Sequence, residues 1–441
     1  MPTMTAPADR GPLGVGSEGW SREACLELDR RDPLAPLGAR FHRPRGAVYL
    51  DGNSLGMLAE GVAARVRKVV ESEWAEGLVR SWNGAAWIEM PARVGDKIAR
   101  LIGADQGEVV ACDSTTVNLF KLLAAAVLAQ RGDAERPLPG AHRSRTVVLT
   151  EEGNFPTDLH AAQGLQRLMG DRIEVRRVPR ERLLRNMDDG VAVLYLTHVD
   201  FRSAEVLDMA RLTAAAHRFG ALALWDLSHS AGAVPVDLHA AGVDLAVGCG
   251  YKYLNGGPGA PAYVFVSRGI QEWLEPVLKG WMGHAAPFDF DPDHLPAPGV
   301  LRHLAGTPPI LAMAALEAAI DVWLEADLAA VHAKARALTS LFVDLVDARC
   351  QGLGFTVGSP RDARRRGAHV VLEHPEGYAV DRALIARGVV TDFRPPGLLR
   401  FGFAPLTTRY VDVWDAVDIL GEVVRAGEHL RPEHRTRLAV T

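Results

Sequence analysis

From Ser114 onward the chain alternates short apolar runs with longer segments whose apolar positions recur at helical spacing. The apolar runs at 146–150, 173–178, 191–196, 221–225, 243–248 and 262–266 predict strands, and the periodic segments at 117–130, 157–169 and 207–219 predict helices. Strands that are apolar throughout, rather than on every second residue, are covered on both faces. The pattern therefore predicts an α/β fold with a mostly parallel sheet flanked by helices.

The flanks read differently. Upstream, a helix is predicted at 21–32, stopped by Pro33 and Pro36, then a brief strand at 48–50 and the turn-forming string Asp51-Gly52-Asn53-Ser54-Leu55-Gly56. Helices at 59–77 and 91–102 follow, with Ser81-Trp82-Asn83-Gly84 between them. Downstream, Pro308 and Pro309 open one long helical stretch reaching about 348, and strands near 369–372 and 398–403 point to a smaller α+β unit. The expected division is an N-terminal arm and helix at 1–48, a large domain at 49–310 and a small C-terminal α+β domain at 311–441. Residues 1–19, rich in Pro, Gly and Ala, are expected to form a loose arm. The run Arg364-Arg365-Arg366 is expected to be a solvated loop. No internal repeat is visible.

Composition narrows the class without choosing a function. Hydrophobic residues are 48% of the chain and charged residues 23%, which suits a globular protein and not a disordered one. The net charge of −5, from 49 basic and 54 acidic residues, leads us to expect neither a nucleic-acid nor a membrane partner. Cys25, Cys112, Cys249 and Cys350 lie far apart with no C-x-x-C pair, so neither a disulfide framework nor structural zinc is expected. His198, His229, His239 and His284 fall in no metal-ligand spacing, and no metal is expected. Without an apolar run of membrane-span length or a signal-peptide core, the expectation is a soluble cytoplasmic protein.

Two strings concentrate chemistry. In Trp225-Asp226-Leu227-Ser228-His229-Ser230-Ala231-Gly232, Asp226 closes an apolar strand and emerges at the carboxyl end of the sheet, the rim where open α/β sheets bind ligands. An aspartate there serves equally well as a cap for the following turn. In Gly250-Tyr251-Lys252-Tyr253-Leu254-Asn255-Gly256-Gly257, a lysine follows the next apolar strand and precedes glycines that allow close backbone approach. Lysines are usually solvated, but a desolvated amine becomes a Schiff-base nucleophile. An aspartate at one strand end and a lysine after the next suit pyridoxal phosphate, which needs a lysine for its aldehyde and an acid facing its pyridinium nitrogen. Its phosphate needs donors, which Ser114-Thr115-Thr116-Val117-Asn118 offers at a predicted helix start, where an ordinary N-cap is the plainer reading. Asn154-Phe155-Pro156-Thr157-Asp158 adds a ring and a carboxylate, or is simply a proline-initiated helix.

Taken in order, these strings resemble the kynureninase family of fold-type I pyridoxal-phosphate hydrolases. The likeness runs from about Tyr49 to Ala416 and includes Leu50 to Gly56, Thr116 to Leu119, Asn154 to Asp158, Asp226 to Gly232, Tyr251 to Gly257, Gly280-Trp281-Met282-Gly283-His284 and Gly306-Thr307-Pro308-Pro309-Ile310. The resemblance implies a fold-type I enzyme that hydrolyses L-kynurenine, or a ring-substituted kynurenine, to an anthranilate and L-alanine, as a homodimer with shared active sites. It implies Lys252 as the cofactor's lysine and proton shuttle, Asp226 at the ring nitrogen, His229 near the ring and Phe155 stacked on it. Thr115, Thr116 and Tyr251 would hold the phosphate, with Trp281 and Thr307 reaching in from a partner subunit. Tyr251 would also serve as acid–base partner. Pro156, Thr157, Asp158 and Thr197 would complete the cofactor site. Arg400 would clamp the substrate carboxylate, and Asn53 and Trp82 would line the aromatic end. Two departures stand out: Ala204 where relatives commonly have glycine, and Thr407-Thr408 where many have a tyrosine. The rivals are a cysteine desulfurase or class V aminotransferase on the same fold, and a cofactor-binding regulator without turnover.

Overall fold

The computed structural model describes residues 20–438; the arm expected at 1–19 lies outside the described residues. Two compact units emerge, one of residues 55–201 and 206–325, the other of 20–54, 202–205 and 326–438. The division differs from the expected one at both ends. The segment before Leu55 belongs with the C-terminal unit, and the second boundary falls after Glu325 rather than after Ile310.

The larger unit is built on a seven-stranded sheet: β1 (Val109–Cys112), β2 (Val147–Glu151), β3 (Glu174–Val178), β4 (Val191–Thr197), β5 (Leu222–Asp226), β6 (Leu245–Cys249) and β7 (Ala262–Val266). Their order across the sheet is β1-β7-β6-β5-β4-β2-β3. β7 runs antiparallel to both neighbours, and the other pairings are parallel. Every residue of β2, β4, β5, β6 and β7 is buried, as unbroken apolar runs require. The helices include α1 (Val62–Lys68), α2 (Met90–Ala99), α3 (Thr115–Arg131), α4 (Pro156–Met169), α5 (Met209–Arg218) and α6 (Ile310–Trp323). Leu119, Leu122, Leu123 and Ala126 of α3 and Ala162 and Leu165 of α4 join Val148, Tyr195, Leu224 and Val264 of the sheet in one core.

Two elements depart from expectation here. The helix foreseen at 59–77 is α1 followed by a π-helical stretch, Val69–Gly77, that ends at Leu78 with φ +50°. Ser81 Oγ donates to Glu73 O, and the Glu73 carboxylate accepts from Arg65 Nη1 and from Trp87 Nε1, both at 2.8 Å. The long helix foreseen from Pro308 to about 348 is two helices, α6 and α7 (Leu328–Arg349). The break comes at Asp327, whose carboxylate accepts the Ala329 N–H at 2.9 Å and starts the second helix.

The smaller unit carries the four-stranded antiparallel sheet β10-β11-β9-β8, made of β8 (Thr356–Val357), β9 (His369–Glu373), β10 (Asp392–Arg394) and β11 (Leu398–Gly402). It also holds α7, α8 (Gly377–Ala386) and α9 (Tyr410–Arg425). The N-terminal helix Arg22–Arg30 joins this unit through Asp29, whose two oxygens accept the N–H groups of Tyr410 and Val411 at 2.7 and 3.0 Å and so cap α9. Phe342 of α7 packs on Phe401 and Phe403, with ring centroids 4.6 and 5.3 Å away.

The basic run corrects an expectation. Arg364 and Arg365 are exposed, but Arg366 is buried and donates to the carbonyls of Pro360 and Arg361 and to Ser340 Oγ. Burial lowers its pKa to about 10. A loop that folds back on itself supplies the acceptors that water would otherwise provide, and the sequence of the run alone carries no sign of that.

Candidate active site

The parallel register places Thr197 and Asp226 opposite each other at the carboxyl ends of β4 and β5, and Asp226 pairs with Val247 on β6. Lys252 follows the end of β6 by three residues, in a loop shaped by close approach. Gly56 N–H donates to the Tyr251 carbonyl at 2.9 Å, and a Cβ on Gly56 would lie 2.2 Å from the Lys252 carbonyl oxygen. Asn255, at φ +59°, donates to the Met57 carbonyl at 2.9 Å and accepts from Trp323 Nε1 at 3.1 Å.

These elements enclose a pocket of about 120 Å³. Of the residues singled out in the sequence, Thr115, Thr116, Phe155, Thr157, Asp158, Thr197, Asp226, His229, Tyr251 and Lys252 line it. Lys252 Nζ lies 2.9 Å from His229 Nε2. Thr197 Oγ1 bonds Asp158 Oδ2 at 2.9 Å and also Asn154 Oδ1. Asn154 accepts the Phe155 N–H at 2.7 Å and so fixes the loop that carries the ring.

Ser228 and Phe201 line the pocket as well, though sequence reasoning gave them no role. Ser228 stood inside the quoted Asp226 string, and its N–H donates to Asp226 Oδ1 at 2.8 Å, so Asp226 caps the turn while also facing the pocket. Phe201 meets Phe155 edge-on at 5.1 Å, a partnership between two loops that no local spacing announces. Pro156 heads α4 and is exposed. Trp281 and Thr307 are exposed and outside this lining; Trp281 stacks on Phe290 at 6.4 Å and meets Phe288 edge-on at 5.6 Å.

The substrate residues divide between the units. Trp82 belongs to the larger one, half-buried and edge-on to Trp87 at 5.9 Å. Asn53 and Arg400 belong to the smaller one, both buried. Arg400 is gripped by Asp392 through Nε at 2.7 Å and through Nη2, so the charge partner that its burial demands lies within its own sheet. Ala204, in the smaller unit, holds φ +62° and is fully buried. Thr407 and Thr408 are buried with hydroxyls that find no partner among the described residues.

The electrostatics of the pocket floor suit a cation. Burial raises the pKa of Asp226, against the pull of the Ser228 bonds and of the Lys252 charge. Burial, and then the charge of Asp226, hold Asp158 well above the usual carboxylate range. Two buried carboxyls short of positive charge, an amine beside them and Thr115 and Thr116 at the start of α3 fit pyridoxal phosphate in all three of its polar parts. Of the other histidines singled out, His198 bonds Ser230 at 3.0 Å, with its pKa lowered by burial to about 4, and His239 meets Glu108 at 2.6 Å.

Residues 331–420 match the family model described as the kynureninase C-terminal domain. A kynureninase of Pseudomonas fluorescens is 47% identical over 424 residues, covering 96% of this chain and 100% of that protein. A kynureninase of Burkholderia pseudomallei strain K96243 is 49% identical over 422 residues, with 96% and 100% covered. Among solved structures, the apo cysteine desulfurase of Thermococcus onnurineus NA1 is similar at a TM-score of 0.71 and 17% identity, over 91% of this chain and 98% of that one. The cystine C–S lyase C-DES with its product cysteine persulfide gives 0.73 at 16% identity, over 86% and 98%. At such identities the two structures share the fold.

Proposed function

The chain belongs to the kynureninase family, and on that premise we infer that it hydrolyses the Cβ–Cγ bond of L-kynurenine, or of a ring-substituted kynurenine, to an anthranilate and L-alanine, with pyridoxal 5′-phosphate as cofactor. The observation that carries the reading is the meeting of Lys252 and Asp226 in one pocket lined also by Thr115 and Thr116 at the N-terminus of α3. Bound there, the cofactor supplies an aldehyde for amines and a protonated ring that takes up electron density as bonds at Cα and Cβ break.

The chain's own residues do the rest. Lys252 would hold the cofactor's aldehyde and would serve as base for the substrate's Cα proton. Asp226 would face the ring nitrogen, since a buried carboxylate gains most from a facing cation. Thr115, Thr116 and Tyr251 would hold the phosphate, Phe155 would lie against the ring, and Pro156, Thr157, Asp158 and Thr197 would complete the cradle. Burial pushes the Tyr251 phenol up, so it stays protonated in neutral solution and donates in the later half. One water is consumed: its hydroxyl joins the γ-carbonyl carbon to give the anthranilate carboxyl, and a proton goes to Cβ to give alanine. Arg400 takes the α-carboxylate, while Asn53 and Trp82 meet the aromatic end.

The reading includes a homodimer in which Trp281 and Thr307 serve the partner's phosphate site. Its support is that both are exposed and outside the lining of their own pocket. No helix of the described residues is long and apolar enough to cross a membrane, and all four cysteines are free, which suits a reducing cytoplasm. The free cysteines also weigh against a desulfurase, which needs a reactive thiolate. All four are buried and burial raises each thiol, Cys350 to about 11.

The test is to add L-kynurenine and, separately, L-cysteine to the purified protein loaded with pyridoxal phosphate. Anthranilate and alanine in equal amounts from kynurenine support the reading. Alanine and sulfide from cysteine with no anthranilate, or cofactor binding without turnover of either, would overturn it.

A further inference from the structure

We propose that Asp392, assisted by Ser54, is the positioning residue that fixes the guanidinium plane of Arg400 for the substrate's α-carboxylate. The proposal rests on the reading of Arg400 as the carboxylate clamp.

Asp392 and Arg400 stand directly opposite in the antiparallel register of β10 and β11. Arg400 Nε donates to Asp392 Oδ1 at 2.7 Å and Nη2 donates to Oδ2, so the two planar groups meet fork to fork, each side chain only 3% exposed. Ser54 Oγ donates to Asp392 Oδ2 at 2.8 Å and accepts from Arg400 Nη2 at 3.3 Å. A guanidinium held along its Nε edge has no freedom to turn about its plane, and the direction of its Nη1–H bonds is set with it. Carboxylate capture by arginine is geometric as well as electrostatic, because its N–H donors all lie in that plane.

A buried pair of one cation and one anion would be electrically closed and would gain little from a second anion. This one is not closed. Arg394 Nη2 donates to the same Asp392 Oδ2 at 2.8 Å, so two guanidinium charges share a single carboxylate. The other titratable groups facing the cluster are Asp51, Asp381 and Tyr49. Burial holds the Asp51 and Asp381 carboxyls up at about 7, and the Tyr49 phenol is raised too. Asp392 is thus shared between two guanidinium groups rather than matched to Arg400 alone.

The experiment uses the cofactor-loaded protein and its parent, Arg400→Ala, Asp392→Asn, Asp392→Glu and Ser54→Ala forms. Four quantities are read: cofactor loading, Tm, the dissociation constant of L-alanine from the spectral change on titration, and KM and kcat for kynurenine. Asp392→Asn is expected to keep cofactor loading, to weaken alanine binding and raise KM by about 10–100-fold, and to change kcat by much less, the scale of a misplaced binding group. Asp392→Glu is expected to recover part of the loss, and Ser54→Ala to weaken alanine binding several-fold. If Asp392→Asn binds alanine like the parent, or loses kcat with KM unchanged, the proposal is overturned. Should Asp392→Asn fail to fold, Ser54→Ala decides, and parental alanine affinity there overturns it. Failure of the underlying reading looks different, because Arg400→Ala itself would then bind alanine like the parent.

Discussion

Lys252 Nζ and His229 Nε2 stand 2.9 Å apart, the amine on the loop after β6 and the imidazole on the turn after β5. This relationship distinguishes Lys252 from the chain's other candidate lysines. Lys121 is buried but tied to Asp113 and to the His303 carbonyl, and Lys279 is paired with Glu275 at 2.7 Å.

Reduction of the cofactor-loaded protein with borohydride, followed by peptide mapping, is therefore expected to place the label on Lys252. Lys252→Ala should lose turnover and the bound-cofactor absorbance together. Label on Lys121 or Lys279 would show that the wrong amine has been assigned.

Ala204 sits in the left-handed region at φ +62°, fully buried, with its carbonyl accepting the Gly367 N–H at 2.7 Å. An alanine there pays about 1–2 kcal/mol that glycine does not, partly offset by glycine's greater freedom when unfolded. Ala204→Gly is expected to stabilise the protein by about 0.5–1 kcal/mol and to raise Tm slightly. A lower Tm would mean that the Cβ makes packing worth more than the strain.

Asp51 is half-buried beside Asp392, with its Oδ1 buried and unpartnered among the described residues, and its carboxyl is raised from 3.8 to about 7, first by burial and then by the Asp392 charge. A folded pKa above the unfolded one stabilises the native state fully below the unfolded value, and the contribution is lost as pH rises through the folded value. Relative to the parent, Asp51→Asn should therefore gain stability between about pH 4 and pH 7, on the order of a few kcal/mol. Urea denaturation of both forms across that range checks it; parallel stability curves would contradict the assignment.

Trp281 is 37% exposed, Phe288 54% and Phe290 75%, a cluster of aromatic surface that water disfavours. The proposed homodimer is expected to cover this surface. Sedimentation should give a dimer for the parent, and Phe290→Asp should shift it toward monomer with weaker cofactor retention. A parent that sediments as a monomer while turning over kynurenine would remove the shared-site reading.

The sequence showed the strands and the chemistry at their ends because both are local. Unbroken apolar runs mark β4, β5 and β6, and Asp226 and Lys252 follow those runs directly. What it hid depends on partners distant along the chain. Val48 and Tyr49 pair in parallel with Val389 and Val390, and Asp29 caps α9, so the N-terminal segment belongs to the C-terminal unit. β1 is four residues long and lies at the sheet edge, too short to register as a run. The division between α6 and α7 escaped notice because Glu325, Ala326 and Asp327 are unremarkable within a helix until the Asp327 carboxylate turns back on Ala329. The resemblance implies Arg400 as the clamp of the substrate carboxylate, and no local signal announces an acid beside it. Its partner Asp392 lies across a hairpin, where pairing is decided by register.

Gly56 has no side chain to offer a substrate, yet its hydrogen atom is the only substituent that fits against the Lys252 carbonyl. Any other amino acid at this position would push the backbone bearing the reactive amine, so a survey of random variants would rank Gly56 among the least replaceable positions. A designer altering substrate preference would do well to leave it fixed and to vary the aromatic end instead. The tolerance of this enzyme to redesign is thus limited by a residue that takes no part in the reaction.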